Sequence, residues 1–307
     1  MGWKVFLAIV EMCALFAVGG GALKIGYIGR DDIERWSRFT FNVFTPCLSF
    51  AAITGNIGRA ELKSLWIMPV AGFAFMAAGA LLGMAFLPLL RRRTPERKAT
   101  FVHLCAINNY IFLPLIVAEN LFGFGRHTAL LMVSNVGSTV GLWTIGVVTL
   151  TGVRKDTLRD TAKQILSVNV VAVALAVAAV LFSLPVPTPA AKLVRTLGSL
   201  AVPLTLILTG AALFRDARGV FRHPADACLV AVTRLVLIPA IYIAVLKLLP
   251  LPREMYEVCF VIAPMPAAVA SALVTRLYGG DGEFASQSVV TTTLLAMASV
   301  PLWIKLM

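Results

Sequence analysis

Charge is in short supply in this sequence. Asp, Glu, Lys and Arg make up 14% of 307 residues, where a soluble domain normally carries about a quarter. A water-facing polar shell of ordinary extent is thereby excluded. Cysteine is sparse as well: five residues, an odd number, with no CxxC spacing, which argues against a disulfide frame or a cysteine metal centre. Cys13, Cys47, Cys105, Cys228 and Cys259 all sit in or beside apolar runs and read as small buried residues. The three histidines are scattered, HExxH is absent, and no paired aspartate-rich motifs occur. These absences argue against an enzyme and imply neither a metal nor a cofactor.

What the chain has in quantity is apolar residue, 59% of the total, with eighteen phenylalanines and five tryptophans spread along it. A membrane helix needs roughly twenty mostly apolar residues to cross about 30 Å of hydrocarbon. That ruler predicts spans at Val5–Lys24, Phe39–Ile57, Leu65–Leu90, Thr100–Phe122 and His127–Thr149. After the polar connector GVRKDTLRDTAKQ it predicts Ile165–Leu184, Leu193–Phe214, Ala225–Leu249, Tyr256–Leu277 and Ala285–Lys305. The opening stretch is also compatible with a signal peptide. Glu11 in mid-segment, a single basic residue before it and no A-x-A site favour a first membrane helix.

The net charge of +12 does not point to nucleic acid, because the basic residues sit in short loops between apolar runs. They do point to an orientation. With RRRTPERK in the cytoplasm, seventeen Lys and Arg fall inside and nine outside, and both termini lie on the non-cytoplasmic side of the cell inner (plasma) membrane. The expected organisation is a first five-helix repeat over 1–152, a cytoplasmic connector over 153–163 and a second repeat over 164–307. An odd number of crossings per half forces the second half to be inverted, an architecture of secondary transporters. The fold class is thus an all-α membrane protein of ten transmembrane helices.

Two spans carry interruptions. CAINNYIFLPLIV places Asn108 and Asn109 shortly before Pro114, and VIAPMPAAVASAL places Pro264 and Pro266 two apart. Proline lacks a donor and clashes with the preceding turn, so both helices are expected to break or kink. They are the fourth spans of their halves, and breaks in corresponding spans mark a midplane site. The N-terminus of each second half-helix would offer N–H groups and a positive dipole end to an anion. The expected substrate-binding set is Asn108, Asn109, Tyr110, Pro114, Pro264, Met265, Pro266 and Asn135. The other reading is that the prolines merely kink packed helices.

Three ionisable residues within spans are candidates for a coupling or charge role. Glu11 is a proton carrier or lies near enough to an interface to reach water. His103, about a turn before the Asn pair, is a titrating group or a packed one. Arg234 pairs with an anion or snorkels to the boundary. Ser138, Thr139 and Thr291 to Thr293 line a cavity or bond between helices.

NNYIFLPL, VPLTLILTG, TRLVLIPAI and APMPAAVASALVTRLYGGDGEFASQSVVTTTLLAMASVPLW, in this order and spacing, resemble the auxin efflux carrier family. The resemblance implies two inverted five-helix repeats, with helices four and nine broken and crossing at their prolines. It also implies a scaffold of helices one, two, six and seven, an elevator-like movement and a homodimer. Phe112 and Leu113 stand where family members often carry glycine, and the long hydrophilic loop of the larger plant carriers is absent.

The function expected is secondary transport of a small organic anion through the lipid bilayer, a carboxylate or auxin-like acid, with proton coupling. Two alternatives stand beside it. One is a sodium-coupled bile-acid-type symporter, against which span nine offers no Glu or Gln near its break. The other is a membrane-embedded enzyme, for which YGGDGE approaches a GxGD motif but carries Tyr278 in place of its first glycine.

Overall fold

The computed structural model describes residues 2–152, 165–216 and 224–307, and every regular element among them is helical. An apolar environment dictates this. Without water to satisfy N–H and C=O groups, an apolar run must bond internally, and a helix does so within one segment.

In chain order the helices are α1 (Gly2–Lys24), α2 (Arg30–Phe39), α3 (Thr45–Asn56), α4 (Ile67–Phe86), α5 (Pro95–Ala106), α6 (Phe112–Phe122), α7 (Arg126–Gly141) and α8 (Val147–Thr151). The second half holds α9 (Val168–Leu181), α10 (Thr188–Ser199), α11 (Ala201–Asp216), α12 (Pro224–Val232), α13 (Ile238–Leu246), α14 (Arg253–Ile262), α15 (Ala270–Leu277) and α16 (Gly282–Ile304). Five continuous stretches among the described residues are long and apolar enough to cross a membrane: Arg59–Leu89, Arg126–Thr151, Thr188–Arg215, Pro224–Leu246 and Gly282–Ile304. The connector expected at 153–163 lies outside the described residues.

The expected second span needs correction at its start. Helix runs from Arg30, nine residues before Phe39, as α2. This segment is charged rather than apolar, so a hydropathy ruler passes over it. Its stability is of another kind: Asp31 and Asp32 sit in the first turn, Arg38 in the last, and Arg38 meets Glu34 one turn earlier at 3.2 Å. The cysteines also depart from expectation in part, since Cys105 and Cys259 are buried but Cys228 is exposed.

Three π-helical turns interrupt the ladders, at Thr40–Phe44, Leu142–Gly146 and Thr233–Leu237. Such turns loosen the i→i−4 pattern and free carbonyls for side chains. The Gly146 carbonyl is taken by the His103 imidazole through Nδ1 at 2.8 Å. Pro239 has no N–H to offer the Leu235 carbonyl, and the Trp303 indole of α16 donates to it instead at 2.8 Å.

Small residues set the closest helix approaches. A Cβ at Gly137 of α7 would collide with the Pro69 carbonyl of α4, and one at Gly79 of α4 with the Cys105 carbonyl at the end of α5. These contacts seat α4 against α7 on one side and against α5 on the other, which positions the end of α5 where the chain breaks.

Much of the charge near the helix ends is paired. Arg97, counted from sequence as a loop cation, is 3% exposed. Its guanidinium lies 3.1 Å from Asp226 at the start of α12 and 2.9 Å from Asp281, which also caps α16 by accepting from the Phe284 N–H at 3.0 Å. The Phe284 ring covers the guanidinium at 4.2 Å. Asp281, the aspartate of the GxGD-like stretch, is therefore a structural cap and counter-ion here. At the start of α7 Arg126 bridges Glu61 and Glu254, each at 2.7 Å, and His127 meets Glu257 at 2.8 Å.

Removing Arg97 leaves Asp226 buried and unpaired, which typically costs about 3–5 kcal/mol. Arg97→Ala is expected to lower the melting temperature of the detergent-solubilised protein by several degrees, and Arg97→Lys by less. A melting curve unchanged in Arg97→Ala would refute the pairing.

Candidate functional site

Helix α5 stops at Ala106 because the next residues cannot continue it. Asn108 and Asn109 are poor helix formers whose side chains compete for backbone groups, and the Pro114 ring excludes the Tyr110 carbonyl from a normal turn. Helix α14 stops at Ile262 for the same kind of reason, since Pro264 and Pro266 remove two donors in succession. Both chains then run extended for a few residues before α6 and α15 begin.

The two extended segments satisfy each other. The Asn109 N–H donates to the Pro266 carbonyl at 2.7 Å, and the Ala268 N–H donates to the Ile107 carbonyl at 3.1 Å. Asn108 and Ala267 thus face one another in a single antiparallel bridge. Side chains complete the join. Thr292 of α16 accepts from the Ala267 N–H at 3.3 Å, and the Asn108 amide donates to the Ile262 carbonyl at 3.4 Å. The Asn135 amide of α7, oriented to satisfy both its ends, donates to the carbonyls of Leu131 and Tyr110.

Arg234 projects from the π turn Thr233–Leu237 and is fully buried. It does not snorkel to the boundary. Its Nε donates to the Met265 carbonyl at 3.1 Å and a terminal nitrogen to the Cys105 carbonyl at 2.8 Å, while the Phe75 ring lies 4.8 Å from the guanidinium. The Cys105 carbonyl belongs to the C-terminal end of α5, and the Met265 carbonyl lies three residues past the end of α14. A helix C-terminus carries about half a negative charge, so two converging ends offset about one positive charge. Arg234 is that charge, and among the described residues no carboxylate pairs with it. Among the described residues, no acidic side chain lies in the first turn of α6 or of α15, at the same crossover.

Of the residues expected at the site, Asn108, Asn109, Tyr110, Pro264, Met265, Pro266 and Asn135 meet at the crossover. Pro114 lies buried in the first turn of α6 rather than in the break itself. His103 is fully buried, with its Nδ1 committed to Gly146, one turn before the break. Glu11 stands apart: it accepts from the Asn120 amide at 3.2 Å, at the seam between α1 and α6. Trp303 and the π turn behind Arg234 were not singled out from sequence, although an arginine five residues before a proline is the trace they leave. The Asn108 Oδ1 and one Arg234 nitrogen are buried without a protein partner. The space beside Met265 and Pro266, closed by Met12 of α1 and Leu113 of α6, amounts to about 20 Å³, room for roughly one water.

Apolar helices of crossing length, packed around two interrupted ones that hook together, define a polytopic membrane protein. The chain belongs to the membrane transport protein family, whose model matches residues 4–168 and 153–304. The resemblance to auxin efflux carriers is thereby borne out. An uncharacterized transporter of Methanothermobacter thermautotrophicus is 25% identical over 298 residues, covering 96% of each chain. Protein PIN-LIKES 7 of Arabidopsis thaliana is 28% identical over 141 residues, covering 42% of this chain and 35% of that one.

Two substitutions test the crossover. Thr292→Val leaves the Ala267 N–H without its acceptor and is expected to cost about 1–3 kcal/mol. Arg234→Gln removes the counter-charge of two helix ends and is expected to lower the melting temperature more than Thr292→Val does. Equal melting temperatures for wild type and Arg234→Gln would show that the charge is not needed there.

Proposed function

We propose that this membrane transporter is a secondary carrier of a small organic monoanion, held at the crossover of the two interrupted helices. The observation that carries the reading is the charge arrangement. Arg234 answers the two C-terminal ends, which leaves the N-terminal ends of α6 and α15 to attract about one negative charge. A single carboxylate, as on an auxin-like or short aliphatic acid, matches that better than a dicarboxylate. Asn108, Asn109 and Asn135 supply polar groups beside it.

The proposal includes ten crossings, in two inverted five-helix repeats, and a homodimer. It also includes an elevator-type movement. Support for the movement comes from where polar ties fall. Arg97, Arg234, Trp303 and Asn135 bind α5, α7, α12, α13, α14 and α16 to one another. Ser49 and Asn169 join α3 to α9 at 2.7 Å within the other group. The seam between the groups is largely apolar and offers less resistance to sliding. Proton coupling is the favoured energy source, with Glu11 at that seam as the candidate carrier.

Purified protein screened by thermal shift against monocarboxylates and dicarboxylates is expected to be stabilised by members of the first class, because a ligand preferring the folded state raises apparent stability. In proteoliposomes Asn109→Ala is expected to abolish uptake of the best ligand while leaving folding intact. Collapse of the pH gradient should slow accumulation, and replacement of sodium should not. Stabilisation by dicarboxylates alone would overturn the charge argument.

A further inference from the structure

A sizeable cavity lies away from the crossover. It measures about 580 Å³ and opens among the C-terminal end of α3, the end of α9 and the start of α10. That volume falls in the range of sites for small organic ligands, about 300–1,000 Å³, whereas the crossover space is far too small for an organic acid in this state. Phe50, Ile57, Val180 and Val194 give it apolar walls, and no carboxylate lines it.

Arg195 gives it a charge. Among the described residues no acid pairs with this arginine; its guanidinium instead lies 5.0 Å over the ring of Phe124. Phe124 sits in the turn between α6 and α7, next to Gly123 at φ +81°, a backbone state that glycine adopts without strain. Ala191, Val194 and Arg195 of α10 form one wall. Ser183, at the end of α9, supplies a hydroxyl. It is the one non-glycine residue with positive φ among the described residues (φ 51°), a strained geometry that marks a constrained position. Asn56 commits its amide nitrogen to the Ala52 carbonyl at 2.8 Å, so its oxygen is left to accept.

We propose that this cavity is a second binding site, for a carboxylate with a compact apolar or aromatic body. The carboxylate takes a fork of two N–H donors from Arg195. The body packs against Phe50 and Phe124, and Asn56 accepts from a ring N–H or hydroxyl where the ligand has one. The site stands independently of the crossover reading, since none of its residues belongs to the two breaks.

Benzoate is the probe. Its dissociation constant is measured by calorimetry on purified protein in detergent, for wild type, Arg195→Gln, Arg195→Lys, Phe124→Ala and Asn109→Ala. Expected is at least a tenfold weakening of the Arg195-dependent binding in Arg195→Gln, partial recovery in Arg195→Lys and a severalfold weakening in Phe124→Ala, with that same component retained in Asn109→Ala even where a crossover component is lost. A loss in Asn109→Ala with Arg195→Gln unaffected would place benzoate at the crossover and overturn the second site. Repeating the titration in nanodiscs separates a free acid from a lipid headgroup. Retained binding in the presence of phosphatidylglycerol supports the proposal, and binding abolished by that lipid but not by phosphatidylcholine overturns it in favour of a headgroup.

Discussion

The structure depends on two hydrogen bonds between stretches of chain more than 150 residues apart. Where α5 and α14 end inside the bundle, each leaves backbone groups that neither lipid nor a continuing helix would satisfy, and an orphaned group there costs several kcal/mol. The Asn109–Pro266 and Ala268–Ile107 bonds remove that cost on both sides at once. Neither break is stable alone. This mutual dependence explains why the interruptions coincide in space, and why four helix ends converge on one small volume.

Convergence raises an electrostatic problem that the chain solves with a single residue. Two C-termini pointing at one place repel each other and anything negative between them. Arg234 sits where the Cys105 carbonyl at the end of α5 and the Met265 carbonyl just past α14 are both within hydrogen-bond reach, and a buried arginine without an acid would be prohibitive anywhere else in such a core. The π turn that carries it, closed behind by Trp303, is what aims the side chain. The Arg97 cluster solves the same problem at the helix starts by a different route, with two aspartates and an aromatic ring.

Much of this was legible in the sequence, and the rest was hidden for identifiable reasons. Proline and asparagine announce where a helix cannot continue, so the breaks near Asn108 and Pro264 could be read from local chemistry alone. Apolar run length located most helices within a few residues. It overlooked the charged start at Arg30, since a polar helix held by its own charge pattern has no hydropathy signal. Arg97 resembled its loop neighbours Arg91 to Arg93, because burial depends on which remote aspartates fold against it. Arg234 left two readings open for the same reason. A residue's own type says that it is costly to bury, and only the partner carbonyls, from Cys105 and Met265, say that the cost is offset.

The polar ties within each group of helices bear on how such a crossover could be loaded. With about 20 Å³ beside Met265 and Pro266, the join is closed to any organic acid while Met12 of α1 leans on it. The closing surfaces are apolar: Met12, Leu113, Val117 and Val300. Apolar contacts are non-directional and lose little when one face slides along another, whereas the ties of Arg234 and Arg97 have fixed geometry and would have to break. On the proposed transport reading, opening would displace α1 and its neighbours relative to an intact crossover rather than unhook the two breaks. Along that seam the Glu11–Asn120 bond and the Arg195–Phe124 contact are polar or charged exceptions. A crossover kept rigid by charge and a seam kept loose by its absence are two uses of the same scarcity of charged residues.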